Sequence, residues 1–204
     1  MKKEITKKAF VLLDRSGSME TMWEEAISGI NSYVKNLEDC DVYVAAFDTQ
    51  DYEVVRNCSR EEWKPIKHNE ISPRGGTPLL DASGRIMWSM LDSGADRAML
   101  IIVTDGFENS SKHFTKQTIT DMTKKITTEK NYDMVFLGAN FDKIGDVAKQ
   151  NFGWADTSRI AATSVRGYGE AMLASASVKT DYFNKGIRVE QLYSNAQKDA
   201  FAKK

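Results

Sequence analysis

Ala9-Phe10-Val11-Leu12-Leu13-Asp14-Arg15-Ser16-Gly17-Ser18 is the stretch whose reading decides the fold. The apolar run at residues 9–13 is too short for a helix and suits a strand buried on both faces, as in a parallel sheet. Directly after it come a carboxylate and two hydroxyls at every second position, where the strand hands over to a helix. Oxygen clusters of this composition suit hard cations such as Mg²⁺.

Working outward, Met19, Met22, Trp23, Ala26, Ile27, Ile30, Tyr33, Val34 and Leu37 form an unbroken helical stripe. Ser18 is placed to cap this helix, with Glu20, Glu24 and Glu25 near its positive end. Residues 42–47 and 52–58 read as strands joined by the turn 48–51, a connection too short for a parallel crossover, so this pair must be antiparallel. Residues 63–70 look irregular.

Ser72-Pro73-Arg74-Gly75-Gly76-Thr77-Pro78 is the strongest loop signal, with a proline where a helix can begin. That helix runs to about residue 91, its inner face made by Leu79, Leu80, Ser83, Ile86, Met87, Met90 and Leu91. Residues 98–103 are a second fully apolar strand, ending at Thr104-Asp105-Gly106. Helical patterns over 115–130, 141–151 and 168–183 alternate with strands at 132–139 and 160–162; the last twenty residues suit either a helix or a loose tail. The run Ala174-Ser175-Ala176-Ser177 predicts close helix packing.

Alternating strands and helices predict a doubly wound α/β fold: a mostly parallel sheet with one antiparallel edge strand and helices on both faces. We expect one domain over 1–204, with its core at about 7–162 and a helical C-terminal extension at about 163–204. The net charge of -1 gives no electrostatic case for nucleic acid or an anionic membrane. No apolar stretch approaches the roughly 20 residues that span a bilayer, and no signal-peptide core is present, so the expected location is the cytoplasm. Cys40 and Cys58 approach each other across the predicted hairpin and are read as reduced structural thiols.

Three segments then belong together: Asp14 to Ser18, Gly75 to Pro78, and Thr104 to Gly106. The first and third follow apolar strands, where open α/β sheets place their ligand sites. If those strands are neighbours where strand order reverses, Asp14 and Asp105 converge on one crevice. Two nearby carboxylates in a partly desolvated site repel and tend to keep a proton; a divalent cation removes the repulsion.

Asp14, Ser16 and Ser18 match the D-x-S-x-S motif of the von Willebrand factor A (VWA) family, and Thr77 and Asp105 stand in order at its two later metal-site positions. The chain thus resembles a small stand-alone VWA domain of bacterial or phage type with an intact metal-ion-dependent adhesion site. The resemblance covers about residues 7–162 and implies Mg²⁺ or Mn²⁺ on the hydroxyls of Ser16, Ser18 and Thr77, with Asp14 and Asp105 ligating directly or through water. It further implies a protein partner that supplies an Asp or Glu carboxylate, in an adaptor role that includes ATPase-linked assemblies, and no enzymatic activity.

Taken singly, Ser16, Ser18 and Thr77 are equally good helix caps and Asp105 a turn residue. Asp48 ends a strand parallel to the first and so either borders the crevice or, the favoured reading, is a plain turn aspartate, and Arg15 reads as either an exposed steering charge or a solvated loop residue. His68 and His113 lack zinc-ligand spacing. Trp23, Trp63, Trp88 and Trp154 read as core or edge packing. The rival classes are a structural or self-assembling component and a Mg²⁺-dependent hydrolase. Asp14 resembles the nucleophile of haloacid-dehalogenase phosphatases, but those place a second Asp where this chain has Ser16. A serine hydrolase would need a G-x-S-x-G elbow, which Ser16 and Ser18 lack.

Overall fold

A computed structural model describes residues 4–139, 141–154, 159–163, 167–187 and 191–203. Strand β1, Lys7–Asp14, lies at the centre of the sheet because both of its faces are apolar. Ala9, Val11 and Leu13 enter one core and Phe10 and Leu12 the other, the two-residue alternation of a strand sorting one continuous run onto two faces. It pairs in parallel with β2, Asp41–Phe47, on one side and with β4, Arg97–Val103, on the other. Beyond β2 lies β3, Tyr52–Ser59, antiparallel and at the edge, with a bulge at Val44/Ala45. Beyond β4 come β5, Asp133–Ala139, and β6, Ile160–Thr163, both parallel. The sheet has six strands in the order β3-β2-β1-β4-β5-β6, the expected mostly parallel arrangement with one antiparallel edge.

Helix α1, Trp23–Lys35, buries its predicted stripe on one face of the sheet together with α5, Tyr168–Lys185. The two helices approach closely at Gly29, where a β-carbon would lie 3.3 Å from Met172 Cγ and 3.4 Å from the Tyr168 ring. In the small-residue run of α5, the buried Ser175 donates to the Ala171 carbonyl at 2.9 Å and bonds the Tyr193 hydroxyl. The chain's end forms α6, Asn195–Lys203, rather than a loose tail. Its polar surface conceals a sparse apolar anchor: Leu192, Tyr193 and Phe201 join the α1 core, with Phe201 edge-on to Tyr193 at 5.8 Å.

The opposite face carries α2, Leu79–Asp92, α3, Lys116–Lys124, and α4, Phe141–Phe152. A π-helical turn, Lys125–Glu129, extends α3 through the predicted threonine-rich stretch. Thr123 and Thr127 there donate to carbonyls four residues back, each at 2.8 Å, the local competition expected of mid-helix threonines.

Cys40 and Cys58 are not joined by a disulfide. One expectation changes in three dimensions. Trp23 and Trp154 are buried and Trp63 packs partly against the core, but Trp88 is 63% exposed. It falls between Met87 and Met90 on α2, whose side chains take the inner face, and so projects into solvent. Among the described residues, no helix is long and apolar enough to cross a membrane.

Candidate metal centre

Because β1 and β4 are adjacent, with Leu13 opposite Val103, the loops that follow them share one crevice at the carboxyl end of the sheet. The strand order reverses here, β2 lying to one side of β1 and β4 to the other. Asp14 is fully buried; one carboxylate oxygen accepts the Ser16 amide at 2.7 Å and the other accepts the Thr104 hydroxyl at 2.6 Å. The chain then winds into a 3₁₀ turn, Gly17–Met22, and α1 starts only afterwards. Ser18 therefore does not cap α1. Its hydroxyl donates to Asp105 at 2.8 Å and lies 3.1 Å from the Ser16 hydroxyl.

Thr77 is buried beside them and does not cap α2. Its amide donates to Asn109 Oδ1 at 2.9 Å and its carbonyl accepts the Asn109 amide at 3.2 Å. A methyl group added at Gly106 would lie 3.2 Å from Thr77 Oγ1 and 3.9 Å from Asp14 Oδ2, which puts both oxygens on the same side of the Asp105-Gly106 turn. All five residues singled out from the sequence are thus brought to one crevice. The Thr77 loop is tied to the first loop by two backbone bonds, Gly17 N to Gly75 O at 3.1 Å and Arg74 N to Arg15 O at 2.7 Å. Gly75 adopts φ +67°, and any side chain there would strike Thr49, so this approach needs glycine.

Three supports escaped the sequence reading. Thr104 orients Asp14 and also accepts the Gly106 amide at 3.2 Å. Glu108 caps α2 from another loop, accepting the Leu80 amide at 2.8 Å and the Ser111 hydroxyl at 2.6 Å. The run Glu108-Asn109-Ser110-Ser111, rich in capping side chains, was the available signal. Asp48 is the third support and more than a turn residue. It accepts Arg15 Nε at 2.7 Å and Arg74 Nε at 2.8 Å on one oxygen, and the Gln50 and Asp51 amides on the other. Burial works against its charge, but the Arg74 bond, the two amides and Arg15 outweigh it and hold the carboxyl below its usual range.

Arg15 is therefore neither exposed nor solvated. It is 3% exposed, and its second partner is Glu53 at 2.7 Å. As a strand-end residue whose neighbours Asp14 and Ser16 turn toward the crevice, it turns toward β2 and β3. The two histidines enter the described hydrogen bonds only through their backbones, His68 giving its carbonyl to Trp23 and His113 its amide to Asp81.

Electrostatically, the crevice favours a cation. Burial pushes the Asp14 carboxyl up to about 6, against the Thr104 and Ser16 hydrogen bonds that favour the anion, and Asp105 adds repulsion. The donors are two carboxylates and three hydroxyls. Among the described residues no group of three or more His, Cys, Asp or Glu side chains forms, so this is neither a zinc-type centre nor an all-carboxylate cage. A hydroxyl-rich oxygen set fits a hard ion that retains water.

A pH dependence follows with a definite sign. Stability from Asp14 is full below its ordinary value of 3.8 and is lost as pH rises through about 6. The difference is worth about 3 kcal/mol. Asp48, held low, acts only at more acidic pH. In chelator the protein should melt higher at pH 5 than this group allows at pH 7.5, while Mg²⁺ should stabilise it at pH 7.5 far more than at pH 5, since binding requires the anion. Thermal melts with and without Mg²⁺ at both pH values check this; equal stabilisation at both would contradict it.

No protein-family model matches the sequence, and no curated protein matches it. Solved structures do. The vWF domain of the type V pili tip protein Mfa5 from Porphyromonas gingivalis superposes with a TM-score of 0.68 at 11% identity, over 91% of this chain and 99% of that one. The fold is that of a VWA domain. A von Willebrand factor type A protein from Catenulispora acidiphila gives a TM-score of 0.59 at 15% identity, over 85% of this chain and 42% of that one. Manganese-loaded Plasmodium vivax TRAP protein gives 0.55 at 14% identity, over 82% and 71%. This chain thus spans less than half of the Catenulispora protein. At these identities the likeness to VWA domains is one of fold.

Proposed function

We propose that this chain is a divalent-cation-dependent protein-interaction module. Asp14, Ser16, Ser18, Thr77 and Asp105 would hold Mg²⁺ or Mn²⁺, and the ion would supply the positive centre that receives an Asp or Glu carboxylate of a partner protein. The observation that carries this reading is the convergence of three hydroxyls on two carboxylates, one of them buried and driven toward protonation. The VWA fold supports it, as does a structural neighbour that is manganese-loaded.

The role is one of binding rather than catalysis: Ser16 stands where a phosphatase of the rival class needs its general acid. Cys40 and Cys58, not joined by a disulfide, fit a cytoplasmic adaptor or assembly factor. Affinity capture from host lysate in Mg²⁺ tests this. A partner should elute on adding chelator and should not be captured by Asp14→Ala; a partner retained equally in chelator would overturn recognition through the metal.

A further inference from the structure

Beside the five site residues lies an open groove of about 530 Å³ between the β2–β3 turn, the start of α2 and residues 110–113. Its wall is bonded to the Thr77 loop. The Gly76 amide donates to Thr49 Oγ1 at 3.2 Å, and Ser110 bonds the same Asn109 oxygen that holds the Thr77 amide.

The groove's acids are largely spent. Asp48 is held by Arg15 and Arg74, and Asp81 accepts the backbone amides of Lys112, His113 and Phe114 at 2.8–2.9 Å. Asp51 is the exposed acid left. Arg85, lying over the Tyr52 ring at 5.5 Å, and the exposed Lys112 form no ion pair among the described residues. Arg85 and Lys112 are therefore the groove's two cations open to an acidic partner, with Asp81 turned onto its amides.

Arg85 also borders a second depression of about 630 Å³ farther along α2, which contains Trp88. That indole, 63% exposed, stands edge-on to Phe114 with ring centroids 5.6 Å apart. Exposed tryptophan beside arginine is the composition of interface hot spots. At the helix rise, Arg85 lies about 9 Å and Trp88 about 14 Å along α2 from Leu79. An extended peptide covers those spans in about three and four residues.

We propose that the groove and Trp88 recognise an extended acidic segment of the partner. One carboxylate goes to the metal, a second acidic side chain about three residues away pairs with Arg85 and Lys112, and an adjoining aromatic or aliphatic side chain packs on Trp88. The proposal rests on the metal-site reading for its first anchor.

Fluorescence anisotropy with the full chain in Mg²⁺ tests it, using labelled Ser-Gly-Asp-Gly-Gly-Glu-Phe-Gly-Ser and its reverse. One of the two should bind, and replacing its Glu by Gln should weaken binding about tenfold. The double variant Arg85→Glu, Lys112→Glu should weaken the parent peptide equally, with no further loss when both changes are combined. Trp88→Ala should act likewise toward the Phe position, and Mg²⁺ affinity by calorimetry should be unchanged in these variants.

Equal affinities for the parent and Gln peptides, or no binding of either orientation at millimolar concentration, overturns the groove. Mg²⁺-dependent binding indifferent to Arg85, Lys112 and Trp88 overturns the groove and leaves the metal reading standing. Binding that survives chelator and Asp14→Ala but falls in the double variant does the reverse.

Discussion

Calorimetric titration of Mg²⁺ or Mn²⁺ into the wild-type protein at pH 7.5 should show one binding site, and Asp14→Asn should weaken it by about a hundredfold or more. Asparagine keeps one acceptor, Oδ1, for the Ser16 amide, and its NH2 donates to the Thr104 hydroxyl oxygen in place of accepting from it, so the turn survives while the buried charge goes. Because Asp14 is disfavoured as an anion in its desolvated position, the chelated variant should be no less stable than the chelated wild type at neutral pH. Lost affinity then cannot be ascribed to unfolding. Thr77→Ala removes a hydroxyl whose carbonyl and amide remain anchored by Asn109, and should cost about tenfold. Unchanged affinity in both variants would sink the assignment of the site.

Asp48→Ala should produce the largest loss of stability. Arg15 is 3% exposed and Asp48 has no exposed side-chain surface, so deleting the carboxylate strands a desolvated guanidinium with Glu53 alone. Breaking a buried pair from one side costs about 3–5 kcal/mol, which lowers the melting temperature of a domain this size by about 10 °C. Arg74, whose side chain is 43% exposed, can turn to water and adds little to that loss.

The same substitution releases the β2–β3 turn, which Asp48 closes through the Gln50 and Asp51 amides, from the Arg74 loop leading to Thr77. Metal affinity should therefore fall as well, by about tenfold. Replacing both partners, as in Arg15→Met with Asp48→Leu, should recover much of the stability but not the affinity. Chemical denaturation alongside calorimetry separates the two effects. A loss below about 1 kcal/mol for Asp48→Ala would show that the pair is not desolvated as its burial implies.

Legibility followed the range of the interactions. The apolar runs at β1 and β4 and the stripe of α1 were readable because burial on two faces or on one leaves a periodic trace in a single segment. The short turn at residues 48–51 dictated the antiparallel edge. Asp14, Ser16 and Ser18 were visible because one strand-to-turn handover carries all three. Thr104 sat beside the recognised Asp105 without any local feature marking its hydroxyl as the partner of a residue ninety positions earlier. Arg15 is illegible for a similar reason: a charged residue in a glycine-serine loop reads as solvated until Asp48, just past β2, and Glu53 of β3 arrive to pair with it.

The sequence by itself determined the order of strands and helices, the mostly parallel sheet and the Asp14-x-Ser16-x-Ser18 cluster at the end of its first strand, as consequences of side-chain periodicity and of spacing within short segments. Thr77 and Asp105 joined that cluster only through the family resemblance, and it took the adjacency of β1 and β4 to bring them together. Only the tertiary structure decided that Ser18 spends its hydroxyl on Asp105 rather than on a helix, that Glu108 rather than Thr77 serves α2, and that Arg15 is buried. It also decided which face of α2 leaves Trp88 in water and which charges beside the crevice stay free. Each of these is a choice among partners far apart in the chain, made by which desolvated group finds its complement when the loops close.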